Sequence, residues 1–514
     1  MGKKMLLTAG FMAMATLLSK VLGLARDSML TAYFGSGMQS DAFSTASTLP
    51  TVLFDVVIGG VISASFIPVF NDIMSKRGKD DALKFVNKFV TFILCVSALI
   101  AVLGIIFSSP LVTLQTNYEG AKHLLTSQLT AIMFPMIIFT GLAFSFVGLL
   151  QSFGEYNIPS IISLVSNLAI ILYYVLFGQK FGIYGLAVTM VIAWSLQFLI
   201  QIPWIRKFGV KFRFDFKFRD NDIKQMLKLA GPMLIATWVQ PLYNLVNQRF
   251  ASNIESAVTS IQQSSRLYTI VVGVFSFVVT NLIFPKLAQA VANKDMDGAK
   301  RLTVTSIRMI VLIIAPLMAG FIILSNSVAT IIFNWGKMTP ETVAAIGVLL
   351  KFYSVGMLGL GLNEILSKAF FSLHDSKTPM RNSIISMVVN IALAYILYSI
   401  MSTNGLALAA ACGSIVNAVL NWICMSKRYP GMIKKSDIFD MIKMIIAAAV
   451  MAAAVYGVYA ATSGIFAGMF ANVIIRNVVT CAVCAVTGVV VYAVMVYILG
   501  INEIRMILKK KKEG

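Results

Sequence analysis

The chain has 514 residues, of which 58% are hydrophobic and only 12% charged, with a formal net charge of +21 and a mean hydropathy of +0.84. Soluble domains carry about 25% charged residues, so this composition excludes an ordinary soluble protein. Apolar runs of ~20–30 residues, without ten-residue alternation, exclude a transmembrane β-barrel and predict an all-α polytopic membrane protein.

Fourteen apolar segments are counted, at 5–34, 41–70, 86–107, 124–150, 158–179, 182–204, 224–250, 257–284, 302–333, 342–367, 380–400, 404–425, 438–461 and 470–499. Lys3 and Lys4 precede a first segment too long and too charged for a cleavable signal peptide, so it is expected to be a retained span. With the N-terminus inside and the sides alternating, the outer connections hold only Lys122, Lys180, Arg249 and Lys337. The inner ones hold most of the other basic residues, including the run from Arg206 to Lys228 and the tail Lys509 to Lys512. This asymmetry predicts both termini in the cytoplasm. It absorbs most of the basic excess, so no nucleic-acid partner is needed and anionic lipid is the expected contact.

The first segment carries the densest intramembrane charge, SKVLGLARD from Ser19 to Asp27. A charge deep in a membrane helix costs ~2.5–3.5 kcal/mol on insertion scales, so Lys20, Arg26 and Asp27 should face a polar interior. Lys20 and Asp27, seven apart, share a helix face, and Gly23 allows a bend. The alternative is a helix-end anchor with its counter-ion; the sharper reading is a cationic lining for an anionic cargo. The second segment opens on Asp41, contains Asp55, and runs through GGVISASFIPVF, Gly59 to Phe70, whose small residues permit close helix approach and whose Pro68 marks a bend.

IPSIISLVSNLAI resembles TPMRNSIISMVVNIAL: the core IISxxxN recurs as Ile161–Asn167 and Ile384–Asn390, followed by Gly-Leu-Ala at Gly185 and Gly405. The repeat is six predicted spans long, and an even number makes its halves parallel. The expected organisation is a six-helix bundle at 1–207, a basic cytoplasmic linker at 208–223, a second six-helix bundle at 224–430, and two extra helices with a basic tail at 431–514. Pro232 and Pro241 interrupt the seventh segment beside Asn244 and Asn247. The eighth begins SAVTSIQQSSRLY, with Arg266 among Gln262, Gln263, Ser264 and Ser265. The first, second, seventh and eighth segments are thus the polar ones, equivalent in pairs under the repeat, and they imply a polar cavity. The other spans of the repeat read as ordinary helices, with Arg308 reaching an interface. The thirteenth, rich in alanine, offers a smooth surface to an acyl chain or another helix.

Catalysis has little support. No P-loop, HExxH or GxSxG motif occurs. Cys95, Cys412, Cys424, Cys481 and Cys484 read as small buried hydrophobes, and the only histidines, His123 and His374, fall in expected loops. No metal site, cofactor or catalytic residue is expected.

SKVLGLARD, with AYFGSG, SDAF, TLP, GGVISASFIPVF, FGEYNIPSIISLVSN and SSRLYTIVVGVFSFVVTNLIFPKL, resembles the MurJ/MviN family of lipid II flippases, within the MOP exporter superfamily, over nearly the full chain. The resemblance implies two six-helix lobes meeting in a V around a central cavity, with the last two helices forming a groove for a polyprenyl tail. It implies that Lys20, Arg26 and Arg266 bind the pyrophosphate of lipid II, an undecaprenyl-pyrophosphate-linked disaccharide-peptide. Lysine at position 20 replaces an arginine common in relatives, keeping the charge and losing the fork. Ser19, Asp27 and Asp41 match positions that orient the basic residues or gate the cavity, and Gln262, Gln263 and Asn244 are candidates for its polar lining. Phe54 and Asp55 stand where some relatives carry an arginine pair, so that contact is not expected. For a sodium site proposed in parts of the family the nearest positions are Asn247 and Asn390, both uncharged, which argues against sodium coupling. The implied function is inner-to-outer-leaflet flipping of lipid II in the bacterial plasma membrane, a transporter without covalent chemistry, with membrane lipids and cell-wall synthesis proteins as partners. The alternatives are a MOP-type exporter of another polyprenyl-pyrophosphate-linked glycan, a drug-cation exporter, which the basic residues disfavour, a membrane enzyme acting on polyprenyl substrates, and a scaffold for cell-wall enzymes.

Overall fold

The structure is a computed structural model that describes residues 3–55, 65–237, 239–373 and 375–501. Gly59–Ala64, His374 and the basic tail from Arg505 lie outside the described residues. Helices are the only regular secondary structure among the described residues, and the chain divides into two compact units, Met1–Thr259 and Ser260–Gly514.

The first unit holds α1 (Lys3–Phe34), α2 (Met38–Phe54), α3 (Ile67–Arg77), α4 (Lys79–Ile106), α5 (Ser108–Gln115), α6 (Gly120–Met133), α7 (Met136–Ser152), α8 (Asn157–Leu199), α9 (Ile202–Lys207), α10 (Asn221–Thr237), α11 (Val239–Ala251) and the first turn of α12 (Ala257–Ala292). The second holds the rest of α12, then α13 (Met296–Phe333), α14 (Pro340–Ser354), α15 (Met357–Ser372), α16 (Lys377–Met401), α17 (Thr403–Arg428), α18 (Lys435–Met469) and α19 (Val473–Ile498). Among the described residues eight helical stretches, or up to ten if each of two bent pairs is one span, are long and apolar enough to cross a membrane.

The breaks have local causes. The segment expected at 124–150 is interrupted at Phe134 and Pro135, where proline supplies no N–H to the helix ladder. The expected span 158–179 and most of 182–204, which runs on into α9, lie in α8, whose backbone leaves the helix at Gly182 (φ 58°, ψ −153°). The Tyr173 hydroxyl donates to the Gly182 carbonyl at 2.6 Å. Nine residues of straight helix span about 13.5 Å, beyond the reach of that side chain, so the chain turns back here. Ser402, at the equivalent place between α16 and α17, has nearly the same backbone (φ 56°, ψ −136°). Each Gly-Leu-Ala of the repeat therefore follows a left-handed turn by three residues, a conformation unusual for serine. The segment expected at 342–367 bends by 49° between α14 and α15. Here glycine lets two backbones meet: a Cβ on Gly356 would lie 2.6 Å from Ala411 Cα, and one on Gly359 2.8 Å from the Ile415 nitrogen.

The first unit is packed around phenylalanines from α3, α4 and the residue preceding α3: Phe66 stacks on Phe89 at 4.3 Å and on Phe85 at 5.8 Å, and Phe66, Phe70, Phe85 and Phe89 are all but inaccessible. Pro68 falls in the first turn of α3, where its missing N–H costs nothing. In the second unit α13 packs against α18 and α19, with Ile307, Ile310, Met444 and Val496 fully buried.

Arg308 does not reach for an interface. Its Nη1 donates to Asp437 at 2.9 Å and its Nη2 to Asp440 at 2.7 Å, which fastens α13 to the start of α18. The expectation of ordinary apolar helices is also corrected in α15–α17. Asn421, fully buried, donates to Asn363 (2.6 Å) and accepts from Asn382 (2.9 Å), while Asn417 donates to Ser383 (3.2 Å). Cys95 is exposed rather than buried, and His123 lies in α6, not in a loop, 3.0 Å from the Thr113 hydroxyl.

Asp375, in the turn between α15 and α16, is buried and ion-paired to Arg428. Burial alone would raise its pKa, but hydrogen bonds from the Thr378 hydroxyl and N–H, together with the Arg428 charge, hold it below the ordinary carboxylate range. A depressed folded-state pKa adds stability that is present above the unfolded value of about 4 and is lost as pH falls through the folded value. The thermal midpoint of the detergent-solubilised protein should therefore drop more steeply below about pH 4 than that of Asp375→Asn. Parallel curves for the two proteins would show that Asp375 does not carry the dependence.

Candidate functional site

α1 runs unbroken through Gly23 and carries the charged stretch. Lys20 is half-buried and makes no hydrogen bond or ion pair among the described residues. Arg26 is tightly held: its Nε and Nη2 donate to Asp27 Oδ1 at 3.0 and 2.8 Å, and its Nη1 donates to Asn167 Oδ1 at 3.0 Å. The partner of Asp27 is thus its neighbour Arg26, not Lys20 on the same face. Asn167 also donates through Nδ2 to the Ser19 carbonyl at 3.0 Å, so a single α8 side chain grips α1 at two levels. The side chains of Arg26 and Asp27 are 15% and 18% exposed, so the pair is sheltered yet reachable. Three of the five guanidinium N–H donors are engaged, and the group is oriented before any anion arrives.

Asp41 is the second node. It is fully buried and accepts four hydrogen bonds: from Lys122 Nζ (2.8 Å), the Ser256 N–H (2.9 Å), the Thr259 N–H (3.0 Å) and the Thr259 hydroxyl (2.7 Å). The two N–H groups belong to the turn that starts α12, so a carboxylate from α2 caps the positive end of that helix. Ser256 supports the turn in a left-handed conformation (φ 62°). Beside this node Gln248 donates to Thr45 Oγ1 at 3.0 Å and accepts from Gln115 at 2.5 Å. A cavity of about 390 Å³ lined by Leu114, Leu245, Val246 and Phe250 lies among α5 and α11 and includes none of the expected site residues.

Asn244 is exposed in α11, and Asn247, buried there, has a carbonyl oxygen without a partner among the described residues. In the second unit α12 carries Gln262, half-buried, Gln263, 3% exposed, and Arg266, exposed. Asn390 of α16 is 8% exposed, and its carbonyl oxygen likewise lacks a partner among the described residues. Asp55 closes α2 and is exposed. Among the described residues no group of three or more His, Cys, Asp or Glu side chains could hold a metal ion. Lys20, Arg26 and Asp41 thus belong to the first unit and Arg266 and Asn390 to the second.

The sequence reading missed Asn167 as a site residue, although the repeat motif contains it. It also missed Lys122, Ser256 and Thr259; the one available signal was that Lys122 is among the few basic residues in the outer connections.

A family model described as lipid II flippase MurJ matches residues 30–477. A Buchnera aphidicola protein named "Probable lipid II flippase MurJ" is 26% identical over 503 residues, 97% of this chain and 98% of that protein. The lipid II flippase MurJ of Burkholderia cenocepacia is 26% identical over 436 residues, 83% of this chain and 84% of its own. Among solved structures, a lipid II flippase MurJ in an inward closed conformation superposes with a TM-score of 0.80 at 22% identity, covering 96% of this chain and 99% of that one. An inward-facing multidrug resistance MATE family transporter of the MOP superfamily gives 0.67 at 14% identity, covering 80% and 95%. These likenesses establish the same all-α polytopic fold.

Removing Asp41 strands Lys122, two backbone N–H groups and a hydroxyl. Breaking a buried pair from one side costs roughly 3–5 kcal/mol. Asp41→Ala should be destabilised on that scale in detergent thermal unfolding, with Asp41→Asn in between. An Asp41→Ala protein as stable as the parent would refute the buried node.

Proposed function

The chain belongs to the MurJ family of lipid II flippases, and from that premise we propose how it moves lipid II from the inner to the outer leaflet of the bacterial inner membrane. It is a multi-pass membrane transporter. The observation that carries the cargo assignment is Arg26, a sheltered guanidinium on α1 fixed by Asp27 and Asn167. A pyrophosphate needs several fixed donors, and arginine supplies paired ones at a defined angle. Lys20, six residues before Arg26 on α1, adds an ammonium, and Arg266 of α12 adds a second fork. Ser19 and Asp27 orient this group. Gln262, Gln263 and Asn244 supply neutral polar lining for the sugar and peptide. Asn247 and Asn390 carry no charge, which argues against sodium coupling.

In this reading fourteen spans form two six-helix lobes and a final pair, with both termini cytoplasmic, and the lobes alternate access to the two leaflets. The polyprenyl tail stays in lipid along α18 and α19 while the headgroup crosses, and no covalent bond changes. Asp41 acts as a gate: its hold on the start of α12 lies two helical turns before Arg266, so releasing the cap frees the helix that bears a cargo contact. Reforming four hydrogen bonds on one buried carboxylate makes the closed state discrete.

Two outcomes test this. Cells depleted of the protein should trap lipid II in the inner leaflet, and wild type should restore sidedness while Arg26→Ala with Arg266→Ala, at equal membrane level, should not. Unchanged sidedness on depletion, or full rescue by the double variant, would overturn the cargo or the cationic site respectively. A cation-lined carrier also feels the membrane potential, worth about 2.3 kcal/mol per charge per 100 mV. Flux in vesicles should therefore fall when the potential is collapsed, and a flux that does not change removes the coupling.

A further inference from the structure

The segment joining α9 to α10 reads Lys211-Phe-Arg-Phe-Asp-Phe-Lys-Phe-Arg219, a strict alternation of phenylalanine with charge. It is not helical. Its neighbours hold it at both ends. Before it, Phe208 stacks on Phe153 at 4.8 Å and Val210 is buried. After it, Asp220 pairs with Lys88, and Asp222 with Arg77 at 2.5 Å. Between these anchors the chain is strung along α4: the Arg213 N–H donates to Asn87 Oδ1 (3.2 Å) and the Asp215 N–H to Thr91 Oγ1 (3.1 Å).

In extended chain alternate side chains share a face, about 6.5–7 Å apart. The rings form one row, leaning together from that spacing: the centroids of Phe212–Phe214, Phe214–Phe216 and Phe216–Phe218 lie 5.1, 6.3 and 6.1 Å apart. The row ends on the membrane-spanning helix itself, Phe218 packing edge-on against Phe92 of α4 at 5.6 Å. Yet Phe212, Phe214 and Phe216 are 41%, 63% and 65% exposed. Lys211, Arg213, Lys217 and Arg219 are exposed as well and have no ion-pair partner among the described residues. Three contiguous bare rings, continuous with a lipid-crossing helix and flanked by four basic side chains against one acid, form an interfacial pattern and not a water-facing loop.

We propose that Lys211–Arg219 is a membrane-surface anchor: Phe212, Phe214 and Phe216 enter the acyl–headgroup boundary beside α4, and the basic side chains bind anionic phospholipid headgroups. The long Lys and Arg stems reach phosphates while the rings sit below them. Charge complementarity selects the occupant, since a zwitterionic surface would take the rings and leave the four cations unpaired. Under the orientation proposed above the surface is the inner leaflet. The anchor would tie the α4 end of the first unit to the membrane.

The test replaces Phe214 by photoreactive benzoyl-phenylalanine in the full-length protein and irradiates native membranes. Mass spectrometry of the peptide should find an adduct of anionic phospholipid. An adduct of another protein, of a second copy of this chain, or of the lipid-linked pyrophosphate cargo overturns the assignment, as does irradiation without an adduct. Independently, amide exchange at 211–218 in nanodiscs should slow about tenfold when phosphatidylglycerol is added to phosphatidylcholine. That gain should vanish in K211E/R213E/K217E/R219E. Equal exchange in both bilayers refutes the anionic preference. Neither readout depends on flipping, so failure here leaves the transport reading standing, and failure of transport leaves the anchor.

Discussion

A charge withdrawn from water must be neutralised where it stands, and that requirement governs this molecule. Asp41 is the clearest case. A carboxylate with no accessible surface is tolerable only because an ammonium, two N–H groups and a hydroxyl converge on it. The ammonium comes from α6 and the other three donors from the turn that starts α12, so the cost of burial becomes a demand on geometry: α2, α6 and the start of α12 must meet at one point. Arg26, on α1, obeys the same rule with Asp27 and Asn167, and Arg308 with Asp437 and Asp440. These nodes place the polar side chains that a carrier needs, and the apolar residues pack around them.

Neutral polar groups add a second layer. The asparagines of α15–α17 satisfy one another in a ladder that apolar packing could not specify, because smooth helices in lipid slide and rotate at little cost. The backbone supplies the third. Gly182 and Ser402 turn the chain back at equivalent points of the repeat, and Gly356 and Gly359 let α15 touch α17 main chain to main chain. The polar nodes are rigid, whereas α18 and α19 carry many exposed apolar side chains, among them Ile445, Ile446, Val489 and Val490.

Much of this was legible in residue order. Mean hydropathy and run length are local properties, so helical membrane class, most helix positions and the repeat followed without tertiary information. The charged residues of α1 stood out for the same reason: a lysine, an arginine and an aspartate in an apolar run violate the local rule. The bend between α14 and α15 was missed because no proline marks it; its cause is contact with residues more than fifty positions away, at Ala411 and Ile415. The ion pairing of Arg308 was misread because its partners lie 129 and 132 residues further on.

Sequence by itself determined that the chain is an all-α membrane protein of this family, and which side chains are too polar for lipid. Tertiary structure decided what each of those side chains does. Asn167, 141 residues from Arg26, sets the arginine's orientation, and Thr259, 218 residues from Asp41, completes the carboxylate's shell. The physical reason is that insertion into a membrane is an additive property of neighbouring residues, whereas satisfying a buried charge needs donors at hydrogen-bond distance and angle. Only the folded chain brings such groups together, and nothing in their linear spacing records that they meet.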